Sequence, residues 1–391
     1  MRQSAIATVA LLATLSASGS ASCEPVKFGA PLPLSGNAAA WGQQGRAALK
    51  VAQDEIKSAG GLPIEFVIKD DASSPNESVV VTRQMIASDK VGVILGPFLS
   101  SAAQTTIPLA KREQTPFVEP SAAVPKLLDP ARPWAVRIAL INQDANRGPF
   151  EAWLKQRKIK KIAVGFENSN PATKDAGGRQ YVEGARAAGV EVVNADSPVT
   201  WTVDMTDFSA VVTRLRSYGD IEAVALANGN EAPLMAKEMQ RQGMKVPVWT
   251  GNIFGDDQSL ITRAGDSVEG WIGVSQNWSG DPKVQDFVTK FRAKLKEDTG
   301  KEENPNTYAF NYYYAALATA EIVQKAGLKA DSSLTEIRKA VSDGWNGLKG
   351  YKTPQGEISI GADGEANRPL FILEVKGGKW VMNQLYQSPS Q

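Results

Sequence analysis

Val-Lys-Phe-Gly-Ala-Pro-Leu-Pro, residues 26–33, runs directly into Leu-Ser-Gly-Asn-Ala-Ala-Ala-Trp-Gly, residues 34–42, and this junction sets the architecture. Val26–Pro33 reads as a strand. From Trp41 to Ala59 the residues Ala48, Val51, Ala52 and Ile56 fall on one helical stripe. Gly60-Gly61 ends that helix, because glycine takes the left-handed conformation of a C-terminal cap. Ile64–Ile68 is a second strand and Asp70–Pro75 a turn. Ser74-Pro75-Asn76-Glu77 is a capping box with proline at the first helical position, its helix reaches Ser88, and a third strand covers Val91–Leu95. A β-α-β-α-β order implies a parallel sheet with helices on its faces.

The pattern continues with a helix over Ser101–Arg112 and strands at Pro116–Val118 and Trp134–Ile138. A second series opens with a helix near Phe150–Lys158. Its strands are Lys161–Phe166, Val190–Val193, Ile221–Leu226 and Val246–Trp249; its helices are Asp175–Ala188, Met205–Ser217 and Glu231–Gln242. Two long amphipathic helices, Asp281–Thr299 and Asn306–Gly327, precede two strands, Leu370–Val375 and Lys379–Asn383, around Lys376-Gly377-Gly378. The fold class is therefore α/β, with two parallel-sheet units and no low-complexity linker between them. Open α/β sheets bind ligands beyond the carboxyl ends of their strands. The loops there are rich in small and polar residues: Pro33–Trp41, Gly96–Ser101, Glu119–Ala123, Glu167–Ala172, Ala227–Glu231 and Gly251–Asp256.

Composition removes several functions. A net charge of +1 over 391 residues gives no electrostatic reason to bind nucleic acid. The absence of histidine excludes histidine triads and histidine zinc sites, and one cysteine, Cys23, makes neither an internal disulfide nor a thiolate cluster. No cofactor or metal is expected. Residues 1–22 read as a secretory signal: Arg2 supplies the positive charge, Ala5–Leu15 the apolar stretch and Ser16–Ser22 the small-residue cleavage region. Cys23 stands where a lipoprotein would carry its anchor, but Ser20 replaces the usual aliphatic residue three positions upstream, so ordinary cleavage near Ser22 is expected over lipidation.

Pro33–Gly42 resembles the PLSG-x₄-WG opening of leucine/isoleucine/valine-type periplasmic binding proteins. Asp70-Asp71-Ala72-Ser73, Gly96-Pro97-Phe98-Leu99-Ser100-Ser101, Pro120-Ser121-Ala122-Ala123 and Asp207-Phe208-Ser209 are similar to four further landmarks of that family, in order, over about 26–381. The resemblance implies two Rossmann-like lobes joined by three crossings, residues 24–141 with 276–352 and 142–275 with 353–391, and a cleft that closes by hinge motion. It implies a monomeric periplasmic receptor, not an enzyme, that delivers a small molecule to the membrane permease of an ABC importer. The ligand class is an amino acid or a related small carboxylate, aromatic and aliphatic acids included. By position, Ser100 matches the serine that holds a ligand carboxylate, with Ser101 opening the helix behind it; both read equally as N-caps. Ser121, Ala122 and Ala123 match the segment offering backbone contacts, with alanine at 123 where the family has a hydroxyl. Trp41 matches the aromatic packed on the ligand, against the alternative of a core residue.

The second lobe departs from the pattern. Asn252 stands where amino-acid binders place an acid, and Asn168 and Asn228-Gly229 replace tyrosines; Phe254 faces the ligand or the core. A buried ammonium needs a counter-charge. Either Glu167, Glu231 or Asp256 supplies it, or the ligand is a carboxylate without an α-ammonium, the reading preferred here. Asp70 and Asp71, adjacent on a strand, point to opposite sides and serve turns and caps. Gly177-Gly178 reads as a turn, not a phosphate cradle. The alternatives are a ligand-sensing regulator of amide-receptor type, disfavoured by the signal segment, and an exported hydrolase, for which no G-x-S-x-G or S-x-x-K motif is suitably placed.

Overall fold

β1 (Val26–Leu32) is buried at every residue but Lys27, as a strand covered on both faces must be. The computed structural model describes residues 24–140, 142–229, 231–251, 256, 258–328 and 331–386, so the signal segment, Cys23, Asn252 and Phe254 lie outside the described residues. After β1 come α1 (Ala39–Ala59), β2 (Ile64–Asp70), α2 (Pro75–Ala87), β3 (Val93–Leu95), α3 (Ser100–Thr106), α4 (Pro108–Arg112), β4 (Phe117–Glu119) and β5 (Ala135–Arg137). The first sheet has the order β2-β1-β3-β4-β5 and is parallel throughout, with Phe28 opposite both Phe66 and Val93. The α1 stripe of Ala48, Val51, Ala52 and Ile56 is buried. Ser74 accepts from the Glu77 amide at the start of α2.

The second series runs α5 (Asn142–Arg157), β6 (Lys161–Glu167), α6 (Pro171–Asp175), α7 (Tyr181–Ala187), β7 (Glu191–Val192), β8 (Val199–Trp201), α8 (Ser209–Arg216), β9 (Ala223–Ala227), α9 (Ala232–Arg241), β10 (Val248–Gly251), α10 (Gln258–Ala264) and β11 (Ile272–Ser275). Then α11 (Gln285–Thr299), α12 (Thr307–Lys325) and α13 (Leu334–Asn346) return to the first sheet, where α11 and α12 cover α1. β12 (Tyr351–Thr353), β13 (Gly356–Ile360) and β14 (Ala366–Asn367) form an antiparallel ribbon, bridged to the first sheet between Arg137 and Glu365. The chain ends in the hairpin β15 (Leu370–Lys376) and β16 (Lys379–Tyr386). The second sheet is ordered β16-β15-β11-β10-β9-β6-β7 with β8 on β6, and only its hairpin edge is antiparallel. No helix among the described residues is long and apolar enough to cross a membrane.

Several expectations are corrected. The helix expected over Ser101–Arg112 is two segments, because Pro108 has no N–H to continue the first. Gly177-Gly178, which falls within the helix expected over Asp175–Ala188 and also reads as a turn, is helical and lies in a π-helical stretch, Ala176–Gln180, between α6 and α7. A Cβ on Gly177 would stand 2.5 Å from that of Phe166, so only glycine lets the helix approach β6. The helix expected from Met205 begins at Ser209, whose amide donates to the Asp207 side chain at 2.9 Å in a turn that delays it. Strands β8 and β11 are additions, short apolar runs whose periodicity cannot declare them.

Three chain crossings join the sheets, and buried polar groups tie all three. Arg368, on the crossing between β14 and β15, donates to the Asn311 side chain at 2.9 Å, the Gln276 carbonyl at 3.0 Å and the Asn277 side chain at 2.6 Å. Gln276 and Asn277 follow β11 on the second crossing, and the Gln276 side chain accepts from the Leu140 amide on the first at 3.1 Å. Asn311, on α12, also donates to the Pro120 carbonyl at 2.9 Å and accepts from Asn277 at 3.0 Å. Replacing Asn311 by alanine leaves a buried guanidinium N–H and a buried carbonyl without partners. Asn311→Ala is expected to cost about 3 kcal/mol of stability, read from the urea midpoint; an unchanged midpoint would show that the crossings are held otherwise.

Candidate functional site

The carboxyl ends of β1, β3 and β4 build one wall. β3 leads through Gly96-Pro97 to Phe98, whose ring stacks on Trp41 at 6.0 Å and on Tyr312 at 6.1 Å and meets Tyr308 edge-on at 5.4 Å. Trp41 is half-buried, so its ring belongs to an aromatic cluster and still reaches the surface. It also lines a cavity of about 1000 Å³, together with Gln44 of α1, Asp256 just before α10, Arg263 within it, and Asn304 and Asn306 before α12. The cavity opens between helices of the two sheets.

Neither Ser100 nor Ser101 is an N-cap. The cap position of α3 is Leu99, and no side chain caps it. Ser100 is half-buried and Ser101 exposed. Among the described residues the Ser100 hydroxyl has no hydrogen-bond partner, and the first-turn amides beside it have no intrahelical acceptor. The next segment is different. The Ser121 and Ala122 amides each donate to Glu119 Oε1 at 2.8 Å, and the Ser121 hydroxyl donates to the Phe98 carbonyl at 2.8 Å. Ser121, Ala122 and Ala123 are all buried. These donors, expected to meet a ligand, already hold a carboxylate of the protein. The fully buried Arg137 holds the same loop from below, donating to the Ala122 and Val124 carbonyls at 2.9 and 2.8 Å and pairing with Glu365.

The second wall comes from the ends of β6, β8 and β9. Glu167 is buried and turns back on its own loop, accepting from the amides of Ser169 and Asn170 and the Thr173 hydroxyl. Asn168 is exposed, with its amide on the Trp201 carbonyl at 2.8 Å. Glu231 Oε1 accepts from Trp201 Nε1 and from the Gly229 amide, both at 2.7 Å. Asn228 is fully buried, and its Nδ2 donates to the Leu226 carbonyl at 3.2 Å. Trp201 thereby links the Asn168 backbone to Glu231 of the loop after β9. Asp256 accepts from the Ser279 amide at 2.7 Å and hydroxyl at 3.2 Å. All three candidate counter-charges are thus engaged with the protein through at least one oxygen.

Two sheets joined by three crossings, with a cavity opening between their helices, are matched over residues 25–379 by the family described as periplasmic binding protein. The chain belongs to that family. It is 24% identical over 374 residues to the leucine-, isoleucine-, valine-, threonine-, and alanine-binding protein of Pseudomonas aeruginosa, covering 91% of each chain. Its fold is similar to that of the branched-chain amino acid transporter substrate binding protein LivJ from Streptococcus pneumoniae in complex with isoleucine, at a TM-score of 0.77, 22% identity, and 93% and 99% coverage of the two chains. It is also similar to a solute binding protein of an ABC transporter from R. palustris in complex with benzoate, at a TM-score of 0.75, 22% identity, and 93% and 96% coverage.

In this periplasmic binding protein, the residue that the sequence reading missed is Glu119. Its signal was a lone acid ending the apolar run Pro116-Phe117-Val118 at a strand end. The carboxyl is fully buried, and Oε2 has no partner among the described residues. Burial raises its pKa to about 7 against the pull of the Ala122 and Ser121 amides and of Arg137. The native state therefore keeps a proton that the unfolded chain, near its ordinary value of 4.5, has released. That contribution to stability is complete below pH 4.5 and is lost as pH rises through about 7. Glu119→Gln retains an acceptor for both amides and cannot ionise. It is expected to match the wild type near pH 4 and exceed its stability by roughly 3 kcal/mol at pH 8, measured by denaturant unfolding; parallel pH profiles for the two proteins would contradict the assignment.

Proposed function

We propose that this protein is the extracytoplasmic solute receptor of an ABC-type importer, monomeric and exported by its N-terminal segment, which captures a small carboxylic acid by cleft closure and presents it to a membrane permease. The observation that carries this reading is the first wall, where an unspent Ser100 hydroxyl stands next to the aromatic cluster of Trp41 and Phe98. A carboxylate suits the hydroxyl and the first-turn amides of α3, and an apolar body suits the indole face. The names of similar proteins support the class: one binds leucine, isoleucine, valine, threonine and alanine, and another holds benzoate. The lobe built on the first sheet takes residues 24–140 and 276–367, and the other takes 142–275 and 368–386, which moves the third crossing from residue 353 to Arg368 because the ribbon of β12–β14 stays with Arg137.

Within that class, the preference is for an acid whose carboxylate carries no neighbouring ammonium. Glu167 is occupied by its own loop and Asp256 by Ser279, and Asn252, at the position where amino-acid binders of this type carry an acid, brings a dipole in place of a charge. The cluster of Trp41, Phe98, Tyr308 and Tyr312 gives an aromatic acid a ring to lie on.

Two measurements test the reading. Titration calorimetry of leucine against benzoate-like and short aliphatic acids is expected to favour the acids; tight leucine binding lost in Asp256→Asn would restore an amino-acid receptor. Ser100→Ala is expected to weaken binding of the preferred acid by roughly 1.5–3 kcal/mol with an unchanged circular dichroism spectrum, since the hydroxyl supports nothing in the fold. An unaltered Kd would remove Ser100 from the site.

A further inference from the structure

The loop after β9 keeps two acceptor oxygens in reserve. Glu231 Oε2 and Asn228 Oδ1 are both buried and have no hydrogen-bond partner among the described residues. Their other side-chain polar atoms are engaged: Glu231 Oε1 accepts from Trp201 Nε1 and the Gly229 amide, and Asn228 Nδ2 donates to the Leu226 carbonyl. Gly229 between them is packed closely on the free carboxylate oxygen, since a Cβ there would come to 2.7 Å from Glu231 Oε2. An unpartnered buried acceptor is costly, and two in one loop call for a donor that the protein does not supply. The loop stands at the carboxyl end of its strand, the edge at which open α/β sheets bind ligands.

We propose that Glu231, with Asn228, is a specificity-determining element of the second wall, which selects acids carrying an additional O–H or N–H donor by accepting that hydrogen bond on Glu231 Oε2. The inference rests on the small-acid reading given above and deepens it. Burial, with the Glu167 charge nearby, holds the Glu231 carboxyl above the usual range, the state of an acceptor that lacks its donor. The chemistry is shared by a hydroxyl on the body of an acid and by an α-ammonium, and matched ligands separate them.

Glu231→Gln makes a directed change. Trp201 Nε1 and the Gly229 amide both require an acceptor at the Oε1 position, so the new carbonyl stays there and the amide NH₂ falls where Oε2 was. An acceptor becomes a donor with almost no change in shape. The test is calorimetry on two ligand pairs that each differ by one donor: benzoate with 4-hydroxybenzoate, and 4-methylpentanoate with leucine. In the wild type, the donor-bearing member of at least one pair is expected to bind roughly ten- to a hundredfold more tightly. Preference in the first pair identifies a hydroxyl ligand, and preference in the second an ammonium. Glu231→Gln should abolish or invert that preference and leave the donor-free partner within about threefold of its wild-type Kd. Equal affinities within both wild-type pairs, or a preference that survives in the variant, overturns the proposal and leaves the acid receptor standing. Failure of all four compounds to bind the wild type overturns the small-acid reading and this inference together. If Glu231→Gln does not fold, Glu231→Asp, which withdraws the free oxygen by one methylene, takes its place, and a wild-type donor preference that survives undiminished in it overturns the proposal.

Discussion

A guanidinium buried between the sheets, Arg368, organises the molecule. It meets three acceptors from Asn311, Gln276 and Asn277, and burial lowers its pKa to about 10. A charge removed from water is tolerated only where every nearby dipole is aimed at it, so the chain segments carrying those dipoles are held in one arrangement. Those segments are the three crossings and the start of the loop after β4, at Pro120. The loops that form the first wall therefore hang from the same knot that joins the lobes.

The two walls follow one rule with different chemistry. Each places strand-end loops around the cleft, and each contains an acid turned inward on backbone amides: Glu119 on Ser121 and Ala122, Glu231 on Gly229. In both, one carboxylate oxygen is satisfied and the other is buried without a partner among the described residues. An internal carboxylate occupying amides that would otherwise attract an anion narrows where a ligand carboxylate can sit. On the first wall the Ser100 hydroxyl is left without a partner among the described residues, and on the second Glu231 Oε2 and Asn228 Oδ1 are left so.

Much of this could be read along the chain. The first three strands, the α1 stripe and the Ser74 cap were legible because each depends on residues within one or two turns of one another. The Asp70–Asp71 turn behaved as expected as well, with Asp70 accepting from the Leu34, Ser35 and Ala72 amides. Errors arose where a local signal met a contact from elsewhere. Gly177-Gly178 looked like a turn, but Phe166 of β6 packs against it and keeps it helical. Ser100 and Ser101 looked like caps, but the extended backbone falls at Leu99 and moves the cap position out of their reach.

Periodicity, capping and composition are properties of neighbouring residues. They were enough to dictate the α/β alternation, the two sheet units, the absence of histidine and disulfide chemistry, and the position of the strand-end loops. Which polar groups in those loops remain available was settled by packing alone. Glu231 finds Trp201 thirty residues away and Arg368 finds Asn311 fifty-seven residues away. A hydrogen bond is made or left open by a few tenths of an ångström, and that distance is set by how the sheets and crossings pack, not by the order of residues along the chain.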